Sequence, residues 1–247
     1  VSSKNFGLYN VVNSSKVFCT NHFQSDAYKD DKKNQKHIVE SHSEYRYDKL
    51  QELLQINKKL NPEKMVSLLR DKSGLRDKSI GFGNEKAINQ LLAHHAVVFS
   101  PHKKLVWVSS NPYQLGEFVC YDLNKIFSDE RLKTVEFATS ELNISKDSFV
   151  DSKEFENYEE FKFANGGVQN AIDGDDVVLT DGFILHYQSL NPDFWLVYYQ
   201  AGKYYFKLKD YSRAKIEFEK ALSKEITTVP DRENVVKYLR KTLKKMK

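Results

Sequence analysis

The stretch NPDFWLVYYQAGKYYFKLKDYSRAKIEFEKALSKE, residues 191–225, constrains the fold more than any other part of the chain. Its apolar residues recur at helical spacing on both sides of the LKD break, which predicts two helices packed against each other. Gly202 and Ala214 are small enough for close helix approach. Tyr198, Tyr205, Tyr211, Phe218 and Ala221 supply the rest of the seam. One such pair cannot bury its own outer face, so it should pack on the residues before it. A third helix over 232–245 would act as the cap. Pro230 arrives late, so the second helix is expected to run long.

The first half mixes strand and helix signals. VVNSSKVFCTNHF, 11–23, reads as a hairpin around an Asn-Ser-Ser turn. Residues 26–44, with KDDKKNQKH, read as a charged surface loop. Leu50, Leu53 and Leu54 place an amphipathic helix over 45–60. A second helix starts at Asn61, with Asn61 as N-cap, Pro62 in the first turn and Glu63 near the positive end of the dipole. Lys64 stands where a capping box would have Glu or Gln. Met65, Leu68 and Leu69 form its stripe. HAVVFSPHKKLVWVSS then predicts a hairpin and EFVCYDL a third strand. Val97, Phe99, Val106 and Val108 are expected to share a face and fill an interior. From Asn124 the pattern turns helical, and Phe155, Tyr158, Phe161 and Phe163 form an aromatic helical series. GVQNAIDGDDVVLTDG carries no clear period.

Composition excludes some classes. The chain has 247 residues with 38 basic and 34 acidic side chains, so a net charge of +4 gives little reason to expect nucleic acid. No apolar run reaches the ~18 residues of a membrane span. Two cysteines make no disulfide framework. Adjacent His94 and His95 would point to opposite faces of a strand, which is poor for sharing a metal. GFGN, 81–84, lacks the third glycine of a dinucleotide loop and reads as a turn. Trp107 and Trp195 read as core. Cys19 and Cys120 read as small buried hydrophobes, because in a strand His22 would face away from Cys19. No cofactor or metal site emerges.

Asn21 differs, because its amide offers N–H donors that can stabilise an oxyanion. Three stretches give it a context: TNHF at 20–23, SEYRYDKLQELL at 43–54, and HAVVFSPHKKLVWVSSNPYQLGEFVCYDL at 95–123. Together they resemble the acyl-coenzyme A:6-aminopenicillanic acid acyltransferase family and its linear-amide hydrolase relatives. These are N-terminal-nucleophile hydrolases, alongside penicillin V acylase and bile salt hydrolase. The third block is the distinctive one. The tail resembles one tetratricopeptide repeat, with Gly202, Tyr205, Ala214, Phe218 and Ala221 at its spacing.

The resemblance implies an α+β fold, the α-β-β-α sandwich of two stacked antiparallel sheets. Residues 1–145 would be its C-terminal part, 146–190 a helical connection and 191–247 the tetratricopeptide-like tail. It implies a processed N-terminal cysteine that attacks a linear amide, with its own α-amine as base and a thioester resolved by water or an amine. Asn21 matches the oxyanion asparagine. Arg46 matches an arginine beside the nucleophile; the alternative for it is an exposed charge at a helix start. Neither Cys19 nor Cys120 stands in the nucleophile's place, so the cysteine is expected upstream of Val1, on a partner segment or chain. Bacterial export, to the periplasm or cell surface, is implied by the resemblance alone, and assembly into a homo-oligomer stays open. A second reading is a catalytically inactive, hydrolase-like module that binds a protein or peptide. A third is nucleic-acid binding through the basic tail KYLRKTLKKMK, whose alternative is a solvated helix face.

Overall fold

The computed structural model describes residues 6–14, 16–57, 59–128, 138–174 and 177–247. The expected start at Val1, Ser15 of the first turn cluster, and 129–137 of the helical stretch after Asn124 lie outside them. The protein is mixed α+β and mainly helical, with one small antiparallel sheet. Among the described residues, no helix is long and apolar enough to cross a membrane.

The sheet has the order β1 (Val97–Ser100), β2 (Leu105–Ser109), β3 (Phe118–Asp122). Its register sets Val98 opposite Trp107 and Trp107 opposite Cys120. These residues, with Leu105 and Phe118, are buried and pack with Val66, Met65 and Leu69 of α3 (Pro62–Leu69). The predicted start of α3 is present: Asn61 Oδ1 accepts from the Lys64 amide at 2.9 Å, with Pro62 in the first turn.

Val97, Phe99, Val106 and Val108 do share a face, but it is not the face that α3 covers. On it, Val97 is 40% and Phe99 65% exposed, while Val106 is buried. Val119 and Tyr121 complete this face and are half-buried. A sheet open to water on one side ordinarily alternates apolar and polar residues. This sheet is apolar on both sides.

Two expectations in the first half need correction. Residues 11–23 contain no strand among those described. The segment is held by side chains instead: the Phe23 amide donates to Asn34 Oδ1 at 2.9 Å, and Asn34 Nδ2 donates to the Phe23 carbonyl at 3.0 Å. Residues 26–44 are not one loop. They contain α1 (Lys32–Glu40), capped by Asp31, which accepts from the Asn34 amide. The same buried Asn34 therefore starts the helix and anchors the segment before it. α2 (Ser43–Ile56) follows, fixed by the fully buried Lys49, whose Nζ reaches Glu52 at 3.0 Å and Asp77 at 3.1 Å.

A short helix, α4 (Leu123–Ser128), precedes the helical half. That half comprises α5 (Lys153–Asp173), α6 (Asp181–Leu190), α7 (Trp195–Lys207), α8 (Tyr211–Leu222) and α9 (Val229–Lys245). Tyr158 and Phe161 point into the core, but Phe163 is 86% exposed. It lies two positions beyond Phe161, about 200° around the helix. α7 and α8 meet as expected, with Tyr198, Tyr205, Ala214, Phe218 and Ala221 buried. α8 does not run long. It ends at Leu222, and Pro230 sits in the first turn of α9, whose cap is Thr228. Trp107 and Trp195 are core residues.

The helical half shares its core with the rest of the chain through Leu91 and Leu115. GFGN is the joint. The Phe82 amide donates to Asn191 Oδ1 at 3.0 Å and Asn191 Nδ2 donates back to the Phe82 carbonyl at 2.8 Å. Gly81 has φ +81°, and a Cβ there would lie 2.4 Å from backbone atoms of Phe194. Gly81→Ala is therefore expected to cost more than about 2 kcal/mol of stability, from backbone strain plus overpacking. Denaturant unfolding measures it, and an unchanged midpoint would contradict this docking.

Candidate functional site

The start of α2 lies across residues 18–22 and brings several polar groups together. Phe18 and His22 place their rings 4.7 and 5.8 Å from that of Tyr47. Thr20 Oγ donates to the Ser43 carbonyl at 2.9 Å. These contacts seat the segment on one helix face, because Ser43, Arg46 and Tyr47 are three and four positions apart.

On that face Arg46 Nη2 donates to Asn21 Oδ1 at 2.5 Å. A guanidinium has only donors, so the atom facing it must be the amide oxygen. The Asn21 NH2 group is thereby turned away from Arg46, with its donors unspent among the described residues. Asn21 itself is exposed. Arg46 is half-buried rather than an exposed helix-start charge. Burial lowers its pKa and the Glu85 charge opposes that shift, but a guanidinium stays protonated at any working pH. The two residues singled out from separate stretches of sequence thus meet, and their pairing orients the amide.

Further groups surround them. His42 Nε2 pairs with Glu85 Oε2 at 2.9 Å. His42 Nδ1 and Arg46 Nε are buried without a hydrogen-bond partner among the described residues. His22 Nδ1 lies 2.9 Å from Ser43 Oγ and 3.2 Å from Thr20 Oγ. His42 and Arg46, one turn apart at a helix start, could have been paired from SHSEYR alone. Glu85 could not, since only the tertiary fold brings it to His42.

Burial lowers the pKa of both imidazoles below the ordinary 6.5. For His22, Glu44 opposes the shift and His37 adds to it; for His42, Arg46 adds to it and Glu85 opposes it. Each therefore binds a proton less readily folded than unfolded. Their contribution to stability is complete above about pH 6.5 and is lost as pH falls through the folded-state values. The thermal midpoint is expected to fall on acidification below about pH 6.5, and to fall less in a His22→Asn, His42→Asn double variant. Equal slopes in both proteins would contradict this.

The cysteines divide. Cys120 is buried as expected, and burial raises its thiol pKa, with Asp122 adding to it. Cys19 is exposed, not buried. It lies in the segment that forms no strand, so it has no covering sheet neighbour. Among the described residues, no group of three or more His, Cys, Asp or Glu side chains is placed to hold a metal ion. No family model, curated protein or solved structure matches the chain.

Proposed function

We propose that this chain is the C-terminal part of a cysteine N-terminal-nucleophile amidohydrolase or acyltransferase acting on linear N-acyl amides. The observation that carries the reading is the 2.5 Å contact from Arg46 to Asn21 Oδ1. It turns the amide donors outward, where they can meet the oxyanion of a tetrahedral intermediate. A preorganised donor of this kind acts without reorganising during the reaction. The guanidinium, held by the same contact, supplies positive charge that favours a thiolate.

The nucleophile in this reading is an N-terminal cysteine on a segment upstream of Val1, its α-amine taking the thiol proton. Attack on the amide carbon forms a thioester and releases the amine, and water or a second amine resolves the thioester. The doubly apolar sheet supports such a segment. The face bearing Val97, Phe99, Val106, Val108, Val119 and Tyr121 is suited to a second sheet, which an α-β-β-α sandwich would place there.

The test is release of amine from a panel of N-acyl amides by the natural protein, purified with every segment that accompanies it. Saturable release supports the reading. No release from any member, with the protein folded, sinks it.

A further inference from the structure

We propose that the cleft between α2 and the start of α9 binds a free α-amino acid with an apolar side chain, its ammonium held by Glu44 and Asp48 and its carboxylate by Arg232. The cleft lies on a different face of α2 from the Asn21–Arg46 contact, so the proposal goes beyond the hydrolase reading and stands without it.

Ser43, Arg46 and Tyr47 face the 18–22 segment. Glu44 and Asp48 follow Ser43 and Tyr47 by one position each, about 100° further around the helix. There they line a cavity of about 380 Å³, together with residues of α1, residues 224–229 and Arg232. Small-molecule sites ordinarily have about 300–1,000 Å³. The walls are pinned to each other. Glu225 pairs with Lys78 at 3.0 Å and Lys86 at 2.7 Å, and its carbonyl accepts from Asn84 Nδ2 at 2.9 Å. Lys224 pairs with Asp193 at 2.9 Å.

Those pairs spend the half-buried charges of the cavity and leave three exposed ones. Among the described residues, the side chains of Glu44, Asp48 and Arg232 make no hydrogen bond or ion pair. Glu44 is felt only through space, by His22. Opposite charges thus line one cavity without meeting. A simple cation there would be repelled by Arg232, and a simple anion by two carboxylates. A zwitterion satisfies both ends: an ammonium offers three donors to the carboxylates, and a guanidinium forks onto a carboxylate. The same cavity has an apolar surface for a side chain, in which Ile226 is buried, Ile38 half-buried and Val39 exposed. Covering Val39 adds burial to the charge pairing.

The test is titration of the ¹⁵N-labelled Val1–Lys247 chain near neutral pH with L-leucine, L-leucinamide, N-acetyl-L-leucine and glycine, read from amide shifts. Leucine is expected to give saturable shifts at residues 38–48 and 224–232. The other three, lacking the carboxylate, the ammonium or the side chain, should each bind about five- to tenfold more weakly. Arg232→Gln should weaken leucine by a similar factor and leave leucinamide unchanged. Asp48→Asn should weaken leucine and leave N-acetyl-leucine unchanged. Both positions are exposed on helices, so the thermal midpoint should hold. Equal binding of leucine and N-acetyl-leucine would mean an anion site only, and equal binding of leucine and leucinamide a cation site only; either overturns the proposal. So does glycine binding as tightly as leucine, or leucine at millimolar concentration leaving these amides unmoved.

Discussion

Asn21→Ala is expected to slow amide cleavage by about 10²–10³-fold in the natural protein, the usual cost of one oxyanion donor. The fold should survive, because Asn21 is exposed and its side chain meets only Arg46 among the described contacts. Asn21→Asp is the sharper companion. A carboxylate keeps an acceptor for the guanidinium but has no N–H to give. Its loss should match that of alanine, with KM changing less than kcat, since the proposed role of the donor is to meet charge that develops in the transition state. Steady-state kinetics on both variants check this. Either variant working at the wild-type rate would remove Asn21 from the chemistry.

Phe218→Ala is expected to be the most destabilising single truncation in the helical half. Phe218 is fully buried between α7 and α8, with the rings of Tyr199 and Tyr238 at 6.1 and 5.7 Å. Gly202 leaves the space its ring occupies: a Cβ there would come within 2.6 Å of it. Removing such a ring costs about 3–5 kcal/mol. In a chain this long that lowers the thermal midpoint by about 6–20 °C. Because Leu91 and Leu115 belong to the same core, the loss should move a single transition covering both halves. A shift of only about a degree, or a second transition for the helices alone, would contradict the shared core.

Local signals were readable where one short stretch contains its own cause. The start of α3 is an Asn-Pro-Glu signature whose cap bond forms inside four residues. The strand pair around Ser-Pro-His-Lys-Lys and the α7–α8 seam are likewise written in adjacent residues. α1 was not readable, because Lys-Lys-Asn-Gln-Lys-His carries no apolar stripe, and its anchor is an amide that reaches back to Phe23. The strand expected over 11–23 failed for the converse reason. β propensity needs a partner strand to act on, and among the described residues this segment has none. Alternation identified the two sheet faces but not which one α3 would cover. The site shows the same division. Asn21 and Arg46 were singled out by the family resemblance of three sequence blocks, whereas Thr20, His22, Ser43 and Glu85 acquire their relations only when α2 is laid across the segment.

The most direct test of the central claim is mass mapping of the natural protein after brief reaction with an N-acyl amide and rapid acid quench, covering every polypeptide that accompanies Val1–Lys247. The account predicts an acyl adduct on an N-terminal cysteine upstream of Val1, and faster trapping of it when Asn21 is intact. An adduct on Cys19, or the absence of any N-terminal cysteine in the natural protein, would contradict it.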